Sequence, residues 1–115
     1  MITRHIRTKI MHRMVEHNGI IHFGGVTADD CSQDMKGQTR QICKTIDDRL
    51  AEAGSSKEKL LTAMIFISDF SRKELMNEAW VEWLSGEFLP TRATIGVADL
   101  GEDCLVEVVV SAAKS

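Results

Sequence analysis

Cys104-Leu105-Val106-Glu107-Val108-Val109-Val110 is the stretch whose reading decides the fold. A run so dense in β-branched residues predicts a buried strand. Glu107 interrupts it, and a carboxylate removed from water without a partner is costly, so a nearby cation is expected. Upstream, Arg92 follows the chain's only proline, Pro90, and opens a second strand pattern over Arg92 to Asp99. Taking Leu100-Gly101 as a two-residue loop makes the two strands an antiparallel hairpin. Period-two alternation then puts Arg92, Thr94 and Gly96 on one face with Leu105, Glu107 and Val109. Glu107 stands opposite Thr94 and diagonal to Arg92, a separation that long side chains span. Two readings follow. In one, Arg92 and Glu107 form a structural ion pair. In the other, the planar guanidinium of Arg92 is a bidentate clamp for a small carboxylate, Glu107 holds or activates water, and Thr94 donates a hydrogen bond between them.

Working outward, Asn18-Gly19 marks a hairpin joining His12–His17 to the strand that begins at Ile20, because both turn residues tolerate the positive φ of a type I′ turn. Apolar or small residues at Met35, Thr39, Ile42, Cys43, Ile46, Leu50 and Ala53 predict a helix from about Ser32 to Ala53, stopped by Gly54. The run Met64-Ile65-Phe66-Ile67 reads as a central strand over Leu60 to Ser68. Ser71-Arg72-Lys73-Glu74 has the form of a capping box for a second helix that carries Leu75, Met76, Ala79, Trp80, Trp83 and Leu84. The order is β-β-α-β-α-β-β, an α+β domain over residues 1–115 with a sheet of five or six strands and an optional extra N-terminal strand. Two helices cover one face of such a sheet. Another copy of the chain is the expected cover for the second face, with sites between subunits.

Composition narrows the function classes. The 115 residues are 43% hydrophobic and 27% charged, and no apolar stretch approaches the length of a membrane span. Met1 to Met14 lack an apolar signal core, and three cysteines without metal-like spacing argue for a reducing compartment and against a disulfide framework. A cytoplasmic location is expected. Net charge is −3, yet Arg4, Arg7, Lys9 and Arg13 crowd the first thirteen residues without an acid, leaving the remainder at −7. That body repels a phosphate backbone, so nucleic acid is not the expected partner and the basic start reads as a solvated segment or a charge-guarded edge strand.

The remaining motifs each have a plain and a functional reading. Gly24-Gly25 either ends a strand or lets a ligand approach the backbone; it is not a phosphate loop. His5, His12, His17 and His22 do not converge into a metal trio. Cys43 lies on a helical apolar stripe and reads as core, while Cys31 lies in a polar loop with no histidine to activate it. Trp80 and Trp83 read as packing residues, and Asn77 either faces solvent or projects into a site.

Together, Asn77-Glu78-Ala79-Trp80, then Pro90-Thr91-Arg92, then Glu107 fifteen positions later resemble the Rid family of reactive-intermediate deaminases, also called YjgF or L-PSP proteins. The likeness extends over nearly the whole chain. It implies a chorismate-mutase-like fold, a homotrimer with three inter-subunit clefts, and no cofactor or metal. It further implies that Arg92 binds the carboxylate of a small 2-imino or 2-enamino acid, with Glu107 positioning the water that hydrolyses it to a 2-oxo acid and ammonia. Thr94, Gly24, Gly25 and Asn77 would line the substrate. Three departures stand out: Gly24-Gly25 replaces the family's Ser-Gly, Met11 stands where a Tyr is usual, and Thr94 replaces a common Cys. A non-catalytic carboxylate-binding trimer is the alternative; a ribonuclease fits the acidic body poorly, and a chorismate mutase calls for more well-placed cations than Arg92.

Overall fold

The computed structural model describes residues 1–115. β1 (Thr3–Arg7) pairs antiparallel with β2 (His12–His17), which returns through Asn18 and Gly19, at φ 52° and 78°, into β3 (Ile20–Phe23). This is the expected type I′ hairpin. β1 is the outermost strand on its side of the sheet, so the basic residues of the N-terminal segment do guard an edge. After Gly24-Gly25 the chain resumes as a two-residue strand, β4 (Val26–Thr27).

Helix α1 (Met35–Glu52) begins three residues later than the apolar spacing suggests, because Asp34 is its cap: the Asp34 carboxylate accepts from the Gly37 N–H at 2.8 Å. Its buried stripe holds the anticipated Met35, Thr39, Ile42, Cys43, Ile46 and Leu50, and also Gln38. Helix α2 (Lys73–Trp83) does not use the capping box. The Asp69 carboxylate takes the Ser71 N–H at 3.0 Å, a 3-10 turn over Phe70–Arg72 leads into the helix, and Glu74 accepts from Asn77 Nδ2 instead.

The largest correction concerns β6 (Thr91–Gly96) and β7 (Val106–Ala113), which are not a hairpin. Both flank β5 (Leu60–Ile67): β6 runs parallel to it and β7 antiparallel on the other side, giving the order β1-β2-β3-β7-β5-β6. β4 also pairs with β7, with Thr27 opposite Glu107. The physical reason is twofold. A strand as apolar as β5 is most stable with both edges paired, and a strand-helix-strand sequence such as β5-α2-β6 returns parallel to its start. Leu100-Gly101 therefore belongs to a crossover past the end of β5, where Gly101, Glu102 and Asp103 take positive φ and the Asp99 carboxylate accepts from the Gly101 N–H at 2.7 Å.

Both helices cover one face, where Ala63, Ile65 and Ile67 of β5 meet Val106, Val108 and Val110 of β7 in the core. The other face is uncovered. It carries Met64 and Ile20, each more than a third exposed, with Phe66, Val109 and Ile95 in neighbouring rows. No helix is long and apolar enough to cross a membrane. A second correction is covalent: Cys31 and Cys104, 73 residues apart with Cα atoms at 5.1 Å, form a disulfide, where the odd cysteine count had argued against one. Spacing along the chain carries no trace of it, because the crossover that brings the two together was read as a hairpin.

Candidate functional site

Arg92 and Glu107 do not meet within one chain. Arg92 is registered against Ala63 and Glu107 against Phe66. Those β5 residues are three apart, so their side chains leave opposite faces of the sheet. Thr94, opposite Ile65, shares the face of Arg92. Neither an Arg92–Glu107 ion pair nor a Thr94–Glu107 pairing exists, and the expected site residues fall into two separate groups.

The first is built around Arg92 on the edge strand β6. Its guanidinium lies over the Trp80 ring, 5.8 Å from the centroid, and its Nη1 is 3.9 Å from Met76 Sδ. Trp80 is 3% exposed and held edge-to-face against Trp83 at 5.4 Å, so the platform under Arg92 is rigid. None of the ion pairs in the chain engages Arg92. The guanidinium borders a cavity of about 370 Å³ lined by Asn77, Trp80, Val81, Leu89, Pro90 and Arg92. Two buried oxygens have no hydrogen-bond partner: Oδ1 of Asn77, a residue that lines this cavity, and Oγ1 of Thr94, on the same face of β6 as Arg92. Such orphans are rare in folded proteins. A free cationic fork and an amide residue thus border one cavity, with the Thr94 hydroxyl two residues along β6 on the same face as Arg92.

The second group lies on the uncovered face. Glu107 is half-buried between Phe66 and Thr27 on the two neighbouring strands. Its carboxylate occupies the place where a side chain at Gly25 would stand: a Cβ there would overlap the Glu107 oxygen. Next to it, the Cβ position of Gly24 is 3.2 Å from Met11 Sδ. The interruption between β3 and β4 is thus a bare stretch of backbone that seats a carboxylate. Gly25 packs directly against Glu107 and Gly24 against Met11, whereas Asn77 lines the cavity beside Arg92 and Thr94 shares its strand face.

A further residue, singled out only by its place three after Met35 in the α1 stripe, ties this region together. Gln38 is fully buried; its Nε2 donates to the Cys31, Gln33 and Asp103 carbonyls at 3.1, 3.0 and 3.4 Å, and its Oε1 accepts from the Leu105 N–H at 2.8 Å. The loop after β4 and the entry to β7 are therefore fastened to the same amide. Away from both groups, a groove of about 390 Å³ between α1 and α2 contains Cys43, whose thiol is pushed up to about 12 by burial; it is a core cysteine, as its place on the helical stripe implied. No three His, Cys, Asp or Glu side chains converge as metal ligands.

A family model described as Endoribonuclease L-PSP matches residues 7–114. The chain belongs to the Rid/YjgF/L-PSP family. It is 34% identical over 113 residues to a RutC family protein of Haemophilus ducreyi, covering 98% of this chain and 97% of that one. A RutC family protein of Haemophilus influenzae is likewise 34% identical, over 84% of each chain. Among solved structures, an uncharacterized protein from Pseudomonas aeruginosa superimposes with TM-score 0.96 at 31% identity over the full length of both. A YjgF family member from Neisseria meningitidis gives 0.94 at 29% identity over 99% and 95%. The helix-covered mixed sheet is thus the YjgF fold, as the resemblance to the Rid family implied.

Proposed function

We propose that this Rid/YjgF/L-PSP chain is a homotrimeric hydrolytic deaminase of small 2-imino and 2-enamino acids, each site being completed across a subunit interface. The observation that carries this reading is the free guanidinium of Arg92 on its Trp80 platform, facing a cavity and lacking any carboxylate of its own chain. A cation so placed and so unpaired suits an incoming carboxylate, which its fork binds through two parallel hydrogen bonds. Glu107, on the face left for a second copy, supplies the complementary half.

With the substrate carboxylate held by Arg92, the carbon bearing the imine nitrogen is presented at a fixed distance from the partner copy's carboxylate. Glu107 accepts a proton from water as the water oxygen bonds to C2 and the C=N π electrons move to nitrogen. Returning that proton to nitrogen gives a 2-amino-2-hydroxy acid; Glu107 then carries the hydroxyl proton to nitrogen as well, the C2–N bond breaks with its electron pair going to nitrogen, and ammonia leaves as the C2 oxygen becomes a carbonyl. One water is consumed; a 2-oxo acid and ammonia are produced. Carbon changes no oxidation state, so the reaction calls for no redox cofactor. Holding two reactants in register supplies most of the acceleration an already reactive imine needs. Asn77 Oδ1 and Thr94 Oγ1 are suited to receive or orient the substrate's polar groups.

The replacement of a hydroxyl by Gly24, backed by the Met11 thioether, favours a second reading: a trimer that binds small carboxylates without turning them over. The net charge of −7 over residues 14–115 weighs against ribonuclease activity. The deciding experiment generates 2-iminopropanoate in situ with an amino-acid oxidase and follows ammonia and pyruvate. The wild-type chain is expected to accelerate their appearance, and Glu107→Gln to slow turnover by roughly 10²–10⁴-fold with the assembly intact. Binding of pyruvate without any acceleration would establish the second reading.

A further inference from the structure

The Cys31–Cys104 disulfide is used by nothing in the proposed chemistry, yet it is placed where it bears on that chemistry. Cys31 follows β4 by four residues and Cys104 precedes Glu107 by three. β4 is only two residues long and is attached to β7 through two register pairs, Val26 with Val108 and Thr27 with Glu107. So short a ladder has little stability of its own. The disulfide clamps the same two segments just beyond the end of that ladder, and the ladder is what sets Gly25 beneath the Glu107 carboxylate.

Three features distinguish this bond from a purely structural one. Both cysteines are half-buried, so a small thiol or disulfide can reach them. The same segments are fastened a second time by Gln38, through the Cys31 and Asp103 carbonyls and the Leu105 N–H. Opening the bond therefore leaves a fold that is still tied. The reduced state also has a prepared partner, since the Ala28 carbonyl oxygen is 3.4 Å from Cys31 Sγ and would accept from its thiol. Cys43, by contrast, is buried and takes no part.

We propose that Cys31 and Cys104 are a reversible redox site whose disulfide locks β4 onto β7 and whose reduction frees β4, loosening the seat of Glu107. The partner molecules are a low-molecular-weight disulfide as oxidant and a dithiol as reductant. On oxidation, one cysteine thiolate attacks a sulfur of the small disulfide, expels a small thiolate and forms a mixed disulfide. The second cysteine thiolate then attacks the protein sulfur and expels the other small thiolate. Two cysteine protons and two electrons leave the protein, and two small thiols are formed. The effect on turnover rests on the proposed deaminase chemistry; the redox site and the movement of β4 do not.

The test equilibrates the full chain in glutathione buffers of graded redox ratio, traps free thiols by alkylation and counts them by mass. Hydrogen exchange is then followed in each state on peptides spanning residues 24–31 and 104–108. Two thiols are expected to appear together in one two-electron transition, with Cys43→Ser unchanged. Exchange in both peptides should quicken at least tenfold on reduction, while β5 stays protected. Cys31→Ser and Cys104→Ser should hold the fast pattern at every ratio, and Gln38→Ala in the reduced state should quicken exchange further. Cys31 and Cys104 that stay reduced in excess oxidised glutathione, or equal exchange in the two states, would overturn the proposal. Absence of turnover in both states, with the exchange difference intact, would overturn only the deaminase reading.

Discussion

Gly25 lacks a side chain at the one place in the strand path where the Glu107 carboxylate needs the room, which makes the two residues a single unit. In Gly25→Ala the new methyl group overlaps a carboxylate oxygen and must push it aside. Turnover is expected to fall by about 10²-fold, the usual consequence of misplacing a catalytic group by an ångström, with the melting temperature only slightly lowered. Gly24→Ala meets only the flexible end of Met11 at 3.2 Å and is expected to retain activity within a few-fold. Parallel kinetics and thermal melts on the two variants check the contrast; equal losses would detach Gly25 from the site. Arg92→Lys keeps the charge but not the fork, nor the flat contact with Trp80. A loss of roughly 1.5–3 kcal/mol in binding the substrate carboxylate is expected, read as a rise in the inhibition constant of a 2-oxo acid. Because no carboxylate of its own chain pairs with Arg92, its removal leaves no buried charge stranded, and Arg92→Ala should fold normally.

At the scale of elements, the hairpin at Asn18-Gly19, both helices and the strand character of Met64-Ile65-Phe66-Ile67 were legible because each is written in local pattern. Asn-Gly specifies its turn, and the stripe from Met35 to Leu50 repeats at helical spacing. What was not legible is which strands are neighbours. Arg92 and Glu107 stand out in the sequence by residue type, but the nearness inferred for them came from a hairpin that does not form. β5-α2-β6 carried the corrective signal, since a helix between two strands returns the second parallel to the first. Register with β5 then puts Arg92 and Glu107 on opposite faces. The C-terminal end of β7 offers an electrostatic test of the N-terminal edge. Glu16 of β2 is bonded to His5 of β1 and to Lys114, whose Nζ also donates to the Ala53 carbonyl at 2.6 Å. The His5 bond foremost, aided by Lys114 and opposed by burial, holds the Glu16 carboxyl below its ordinary 4.5. A depressed carboxylate contributes stability above its unfolded-state value, and that contribution is lost as pH falls through the folded one. The melting temperature is expected to decline below about pH 4.5, less steeply in Glu16→Gln; identical acid limbs would show that the cluster adds nothing.

For the whole molecule, the uncovered sheet face and the proposed inter-subunit site make the same demand. Met64, Phe66, Ile95 and Val109 near Glu107, with Ile20 farther along the same face, form an apolar surface that one chain cannot bury. Light scattering is expected to give about three times the 12.8 kDa chain mass, and Met64→Lys, a charge in the middle of that face, to shift the population towards single chains with turnover lost in proportion. A single-chain mass for the unmodified protein would remove the second half of every site. The position of β7 has one more consequence, for the order in which the protein can be made. β7 is the last strand in the chain, yet it lies at the middle of the sheet, joining β1-β2-β3 to β5-β6. Synthesis proceeds from the N-terminus at about 5–20 residues per second, so β3 and β5, the two strands that β7 joins, are made before it and lack that partner, leaving its slot in the sheet unfilled. Until the final strand clears the ribosome, the facing edges of β3 and β5 stay open, and the β7 of a neighbouring nascent copy fits that slot as well as the chain's own.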